Sequence, residues 1–333
     1  MSRRKDIHVV REELPPRTQA ARRHLISVSD LEQEDVERLL ETARRFGASL
    51  EREVKKLPTL RGRTVVTLFF ESSTRTSSSF ELAAKRLSAD TMSIKASGSA
   101  IDKGESLKDT ALTLSAYDPD VIVIRHPHIG APQLVARCTE AHVVNAGDGK
   151  HQHPTQALLD LYALQQELGQ LEGLHVAIVG DVLHSRVARS LIQALRLVGA
   201  SVTLVGPPPL IPRGIDALGC EVSYDIGAIA AADVVYVLRM QRERMLEGAN
   251  YVPSLREYSA RWGVTPDRLR PGQKVMHPGP MNRGVEIDPQ VADAAEALIA
   301  GQVRAGLVVR MAVLYDLLTT GPVGVPQPET LVA

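Results

Sequence analysis

Thr64-Val65-Val66-Thr67-Leu68-Phe69-Phe70-Glu71-Ser72-Ser73-Thr74-Arg75-Thr76 is the stretch from which the rest of the chain can be read. Thr64 to Phe70 is an unbroken apolar, β-branched-rich run. Such a run predicts a strand buried on both faces, as in a parallel sheet. A helical pattern follows over Ser79 to Leu87. Where a strand runs into a helix start, unpaired backbone N–H groups and the helix dipole favour an anion. Ser73, Thr74 and Thr76 add hydroxyl donors, and Arg75 adds a planar cation. An ordinary capped helix start also uses Ser and Thr, so this segment alone leaves both readings open.

The alternation continues on either side. Ser29 and Glu32 have capping-box spacing, and Leu31, Val36, Leu39, Leu40, Ala43 and Phe46 predict a helix to about Gly47. Strands are predicted at Thr91–Lys95, Val121–Arg125 and His142–Asn145, and helices at Leu107–Tyr117 and Thr155–Leu168. A second series follows: a strand at His175–Gly180, a helix to Val198, and strands at Val202–Val205, Val234–Leu238 and Lys274–Met276. A last helix, about Val303–Leu318, has no strand after it. Strands alternating with helices predict an α/β protein. The expected architecture is two Rossmann-like three-layer α/β/α domains with parallel sheets. The helix from Thr155 joins them, and the C-terminal helix returns to the first. The boundaries expected are 23–155 plus 303–322 for one domain and 156–302 for the other. Residues 1–22 and 323–333 read as flexible extensions, although 1–22 could instead be an arm that contacts another subunit.

Composition narrows the function classes. The 333 residues are 44% hydrophobic, enough for two separate cores. Basic and acidic side chains balance at 39 each, which argues against wholesale nucleic-acid or membrane-surface binding. Cys138 and Cys220 are far apart and in no Cys-x-x-Cys pair, which suits a reducing cytoplasm. No apolar run reaches the roughly 18 residues of a membrane span, and none near the start reads as a signal peptide.

Further candidates lie at strand ends and helix starts. Arg125-His126-Pro127 follows the strand Val121–Ile124, at the edge where open α/β sheets bind ligands; Arg125 could also be a surface charge. His153-Pro154-Thr155-Gln156 opens the linking helix, where His153 could merely cap it. His151 and His153 form a His-x-His pair, but no nearby Cys or third His completes a ligand set, so no metal site is expected. Arg186 is either an anion-binding fork or a helix-face charge, and Arg239 either a fork or, with Arg242 and Arg244, part of a solvated loop. Ser97 to Ser106 is a polar, glycine-flanked loop before a helix. The strand at His175–Gly180 is followed by Gly180-Asp181-Val182-Leu183-His184-Ser185, not by the Gly-x-Gly-x-x-Gly of a dinucleotide site, and no phosphotransferase P-loop is present.

Ser73-Thr74-Arg75-Thr76, Arg125-His126-Pro127 and His153-Pro154-Thr155-Gln156, in that order, resemble the carbamoyltransferase family over about residues 23 to 322. Arg239-Met240-Gln241 and His277-Pro278-Gly279-Pro280-Met281-Asn282-Arg283-Gly284 look like its aspartate branch. The ornithine branch would carry a His-Cys-Leu-Pro and a Ser-Met-Gly loop instead. An acceptor with two carboxylates also calls for bidentate cations, which Arg186 and Arg239 could supply. Ser77 departs from the pattern, where many relatives have Arg.

The resemblance implies carbamoyl transfer from carbamoyl phosphate to L-aspartate, a step of pyrimidine (UMP) biosynthesis, with no cofactor. It implies that Ser73, Thr74, Arg75, Thr76, Arg125, His153, Gln156, Gly279 and Pro280 hold carbamoyl phosphate. A neighbouring subunit would add Ser99 and Lys103, so the active unit would be a homotrimer with active sites shared between subunits. Arg186, Arg239, Gln241 and Lys103 would hold aspartate. Thr76, Arg125, His153 and Lys103 would carry the catalysis. Regulatory chains or a dihydroorotase-type partner are further implied possibilities. The rivals are a carbamoyltransferase for another amino acid, such as ornithine, and a non-catalytic scaffold of a pyrimidine-pathway complex.

Overall fold

The computed structural model describes residues 24–95, 104–245 and 251–319. The expected flexible extensions, and the loop residues Ser99 and Lys103, fall outside them. In the first half α1 (Gln33–Leu50), β1 (Thr64–Phe69), α2 (Thr74–Arg86), β2 (Asp90–Lys95), α3 (Leu107–Ser115), β3 (Val121–His126), α4 (Ala131–Cys138) and β4 (His142–Asp148) follow one another. The strands make a parallel sheet in the order β2-β1-β3-β4. α5 (Pro154–Leu168) leads to the second series: β5 (His175–Val179), α6 (Arg186–Leu197), β6 (Ser201–Val205), β7 (Glu221–Ser223), β8 (Val234–Val237), α7 (Leu255–Trp262), β9 (Lys274–Met276) and α8 (Pro289–Ala292). These strands make a second parallel sheet, in the order β7-β6-β5-β8-β9. α9 (Ile299–Thr319) ends the described chain and packs on α1, α2 and α5.

The uninterrupted apolar strands are explained by burial on both faces. Val65, Val121 and Val144 point into one large core that continues under the second sheet through Val176, Ile178, Val202 and Tyr236. Their chain neighbours Val66, Ile122 and Val143 point the other way, onto α3 and α4. Ala177, Val179, Val235 and Val275 do the same in the second sheet, against Ile229, Val264 and Ile287. The large core runs beneath both sheets because α5 lies within it. Every residue of α5 from Pro154 to Leu164 is buried, as expected of a helix wrapped by other elements.

Several boundaries differ from the sequence reading. The capping box at the start is not Ser29–Glu32. Ser27 and Asp30 cap a single 3-10 turn, and α1 begins at Gln33, where the Asp35 carboxylate accepts the Glu32 N–H at 3.2 Å. α1 also runs through Gly47, because a Cβ there would sit 3.1 Å from the Tyr162 hydroxyl; the glycine marks close helix packing rather than a helix end. α2 starts five residues before Ser79, hidden by a Ser/Thr-rich first turn whose Ser79 hydroxyl bonds back to the carbonyls of Arg75 (2.7 Å) and Thr76 (3.0 Å). α4, β7, α7 and α8 are short, and their periodicity is too brief to stand out.

The linking helix should therefore be the most sensitive part of the core. Leu161→Ala, at a fully buried position of α5, should cost about 2–5 kcal/mol, whereas Leu112→Ala, 49% exposed on α3, should stay within about 0.5 kcal/mol. Denaturant unfolding of both variants measures the contrast.

Candidate active site

In an open α/β sheet, ligands collect outside the carboxyl ends of the strands where the strand order reverses. The first sheet reverses between β1 and β3, and the second between β5 and β8. The loop after β1 and the first turn of α2 carry Glu71 to Thr76, and β3 ends on Arg125 and His126. The loop after β5 leads to Arg186, and that after β8 carries Arg239, Gln241 and Arg244. Both switch points open toward each other.

On the first sheet, the Phe70 N–H donates to the Arg125 carbonyl at 2.9 Å, so the Ser73–Thr76 turn starts beside Arg125. Ser73, the N-cap of α2, makes no side-chain cap, and neither does His153, the N-cap of α5. The imidazole is therefore not merely a helix cap. Its backbone N–H donates to Ser190 Oγ on α6 at 2.8 Å, which ties the helix start to the second domain. Arg75 reaches across the cleft to Gly279, where any Cβ would collide with its guanidinium. Gly279 has φ 59°, and a cis bond joins it to Pro280.

Three guanidiniums meet at one carboxylate. Glu71 Oε2 lies 2.5 Å from Arg186 Nη2 and 3.3 Å from Arg125 Nε, and Oε1 lies 3.6 Å from Arg244 Nη2. Arg125 also donates to the Ala146 carbonyl at 3.2 Å. Arg244 donates to the carbonyls of Gly149 (3.1 Å) and His184 (3.2 Å). Gly147, φ 118°, lets the Arg186 guanidinium lie flat on the end of β4, since a Cβ there would come within 3.0 Å of it. One carboxylate cannot neutralise three cations. Burial, followed by the neighbouring Arg186, lowers Arg125 to about 9 and Arg244 to about 10. Among the described residues, the buried Arg186 Nη1 and His153 Nδ1 have no hydrogen-bond partner. The chemistry this favours is the binding of a multiply charged anion.

His153 is 4% exposed. Burial, and then Arg125, Arg186, Arg310 and Arg244, push its pKa well below the usual imidazole value. It is therefore a neutral ring among cations, able to donate one N–H without adding charge.

Other sequence candidates are arranged differently. Thr76 is buried in the first turn of α2, Thr74 and Arg75 are exposed, and Ser73 is half-buried. Gln156 turns its amide NH₂ to Asp160 at 3.0 Å. Arg239 does not join the Glu71 cluster; its guanidinium pairs with Glu243. The Gln241 N–H donates to Asp181 Oδ2 at 3.1 Å, and Asp181 Oδ1 lies 2.8 Å from Nδ1 of the buried His184. Ser77 brings no cation to α2, but Arg310 of α9 does: its Nη1 lies 2.5 Å from Ser79 Oγ and its guanidinium 5.1 Å from the Phe80 ring centre. Glu71 and Arg244 are the residues given no role from the sequence. Glu71 stands directly after β1 at a switch point, a position that could have signalled it, whereas Arg244 is one of several loop arginines.

Two family descriptions fit the chain. "Aspartate/ornithine carbamoyltransferase, carbamoyl-P binding domain" matches residues 23–166, and "Aspartate/ornithine carbamoyltransferase, Asp/Orn binding domain" matches residues 172–317. The chain belongs to the aspartate/ornithine carbamoyltransferase family. It is 57% identical to the aspartate carbamoyltransferase catalytic subunit of Salinispora arenicola over 303 residues, 89% of this chain and 98% of that one. The fold superposes on aspartate transcarbamoylase from Trypanosoma cruzi in complex with carbamoyl aspartate and phosphate. There the TM-score is 0.81, at 31% identity and with 89% and 95% of the two chains covered. The catalytic subunit of M. jannaschii aspartate transcarbamoylase gives a TM-score of 0.77 at 35% identity, with 88% and 97% covered.

The depressed His153 pKa has a direct consequence. At pH 6 an ordinary imidazole, with a pKa near 6.5, is mostly protonated, but His153 should remain neutral. Nitrogen-15 histidine spectra, assigned with His153→Gln, should show the shifts of a neutral ring. The unfolded chain takes up this proton below about pH 6.5 and the folded chain does not, so stability begins to fall there and goes on falling until the pH reaches the lower folded-state value.

Proposed function

We propose that this chain transfers the carbamoyl group of carbamoyl phosphate to L-aspartate, forming N-carbamoyl-L-aspartate and phosphate. The observation that carries the reading is the meeting of Arg125, Arg186 and Arg244 from both switch points on one carboxylate, in a surplus of positive charge. The family relationship, and the 57% identity to a protein named as an aspartate carbamoyltransferase catalytic subunit, favour aspartate over ornithine as acceptor.

The α-amine of aspartate attacks the carbonyl carbon, a tetrahedral intermediate forms, and the C–O bond to phosphate breaks. The departing phosphate takes the amine's proton, so no protein base is needed. Ser73, Thr74, Arg75, Thr76 and Arg125 hold the phosphate. Thr76, Arg125 and the neutral His153 direct donors at the carbonyl oxygen as it gains charge. Gln156 and the backbone carbonyls near Gly279 and Pro280 hold the carbamoyl NH₂. Arg186, Arg239 and Gln241 hold aspartate, with Arg239 leaving Glu243 and Arg186 sharing its fork with Glu71. Closure of the two domains over the pair excludes water from a labile acyl phosphate. Ser99 and Lys103 come from a neighbouring subunit of a homotrimer, with Lys103 touching both substrates. Such an enzyme would work in the cytoplasm, in pyrimidine biosynthesis.

The decisive assay is product formation by the purified chain with aspartate against ornithine. Carbamoyl aspartate is the expected product; carbamoyl ornithine alone would overturn the reading. Arg125→Ala should fold and lose about a hundred- to thousandfold in kcat. Shared sites are tested by mixing: inactive Lys103→Ala and inactive Arg75→Ala proteins should regain some activity together. No recovery despite confirmed subunit exchange would count against the shared loop.

A further inference from the structure

One buried carboxylate next to the site has no part in the chemistry above. Asp160 lies one turn beyond Gln156 on α5 and is fully buried. Its Oδ1 accepts from Gln156 Nε2 at 3.0 Å and from Gln302 Nε2 of α9 at 2.7 Å. Its Oδ2 accepts from the Tyr236 hydroxyl of β8 at 2.7 Å. The far end of Gln302 is engaged too: its Oε1 accepts the His277 backbone N–H at 3.0 Å. His277 Nδ1 in turn accepts the Gly279 N–H at 2.8 Å. Asp160 is thus connected to both groups assigned to the carbamoyl NH₂, directly to Gln156 and through Gln302 to the Gly279–Pro280 loop.

The chemistry of these bonds fixes which way each amide points. Ionised, as it is above about pH 7, the Asp160 carboxylate only accepts hydrogen bonds, so any glutamine against it must present its NH₂. Gln302 is determined twice over, because the His277 N–H at its other end can only donate. With Gln156 Nε2 on Asp160, its Oε1 is the end left for a ligand. A carbonyl oxygen suits a donor such as the carbamoyl NH₂ and offers nothing to a methyl group. Desolvation pushes the Asp160 carboxyl up to about 7, opposed by its three hydrogen bonds and by Arg310. An apolar residue would fill the space without that cost.

We propose that Asp160 is a positioning residue that turns the acceptor end of Gln156 toward the carbamoyl NH₂ and so sets the preference for carbamoyl phosphate over other acyl phosphates. The inference rests on the carbamoyl-transfer reading. Asn could keep its oxygen on the two glutamines, which share Oδ1, and turn its NH₂ to the Tyr236 hydroxyl; Leu removes the acceptor, so that Gln156 would flip or move.

Acetyl phosphate, with a methyl in place of the NH₂, is the probe. Binding of carbamoyl phosphate, acetyl phosphate and inorganic phosphate is compared above the Asp160 value of about 7 in the wild type, Asp160→Leu, Gln156→Ala and the double variant. Asp160→Leu should weaken carbamoyl phosphate about tenfold, leave the other two within about twofold, and add nothing in the Gln156→Ala background. An unchanged preference in folded Asp160→Leu, or equal weakening of all three ligands, overturns the proposal. A wild-type measurement guards against misfolding of the variant. The Gln156 side-chain NH₂ signals, assigned with Gln156→Ala, should stay in place when carbamoyl phosphate replaces acetyl phosphate. A large movement overturns the assignment. If the wild type neither binds carbamoyl phosphate nor makes carbamoyl aspartate, the functional reading itself fails. If it does both, and only Gln156→Ala loses the preference, the Asp160 assignment alone fails.

Discussion

The cleft is organised by the attraction of three guanidiniums to the single carboxylate of Glu71. Arg125 comes from the end of β3, Arg186 from the start of α6 and Arg244 from the loop after β8. Without a negative charge between them, these buried and half-buried cations would repel one another and drive the two sheet edges apart. With only one carboxylate they remain under-neutralised, as the lowered pKa values of Arg125 and Arg244 register. The same arrangement holds the domains together and keeps a demand for further negative charge at their junction. Glu71 competes for guanidinium forks that a phosphate or a dicarboxylate could use, so binding and domain contact draw on the same groups.

Such a concentration of charge needs a rigid support. The large core passes under both sheets, with α5 embedded in it and α9 packed across α1, α2 and α5. α5 delivers His153 at its first uncapped turn and Gln156 one turn later, both on a backbone that has little freedom to move. The neutral state of His153 follows from the same surroundings. Desolvation and nearby arginines both oppose a second positive charge on the ring, so it donates as a neutral group.

Polar groups buried behind the cleft extend this order outward. Asp160 fixes two glutamine amides and a tyrosine, and Asp181 joins His184 to the backbone of Gln241. A carboxylate that only accepts when ionised dictates where neighbouring donors point. Hydrogen-bond direction, as much as charge, is therefore settled one layer below the surface that would meet a ligand.

By itself the sequence determined the α/β alternation and the position of most strands, because runs such as Val65–Phe69 and Val121–Ile124 must be buried on both faces. It also placed the hydroxyl-rich turn at 73–76, Arg125 and His153 at strand ends and helix starts, where local backbone physics favours anions. Short elements such as α4 and β7 were not legible, since eight or three residues carry too little periodicity, and Gly47 looked like a helix end because its reason lies on another helix. Only the tertiary structure decided that Glu71, Arg125, Arg186 and Arg244 share one point, that Arg239 pairs with Glu243 instead, and that Asp160 orients Gln156. The Glu71 cluster depends on contacts up to about 170 positions apart, as from Glu71 to Arg244. The Arg239–Glu243 pair lies in a loop whose shape spacing does not set. The Gln156–Asp160 pair, though four residues apart, is held by Gln302 and Tyr236 from distant elements. Sequence spacing governs which groups lie on one element; the folding of two sheets over a common core governs which of them meet.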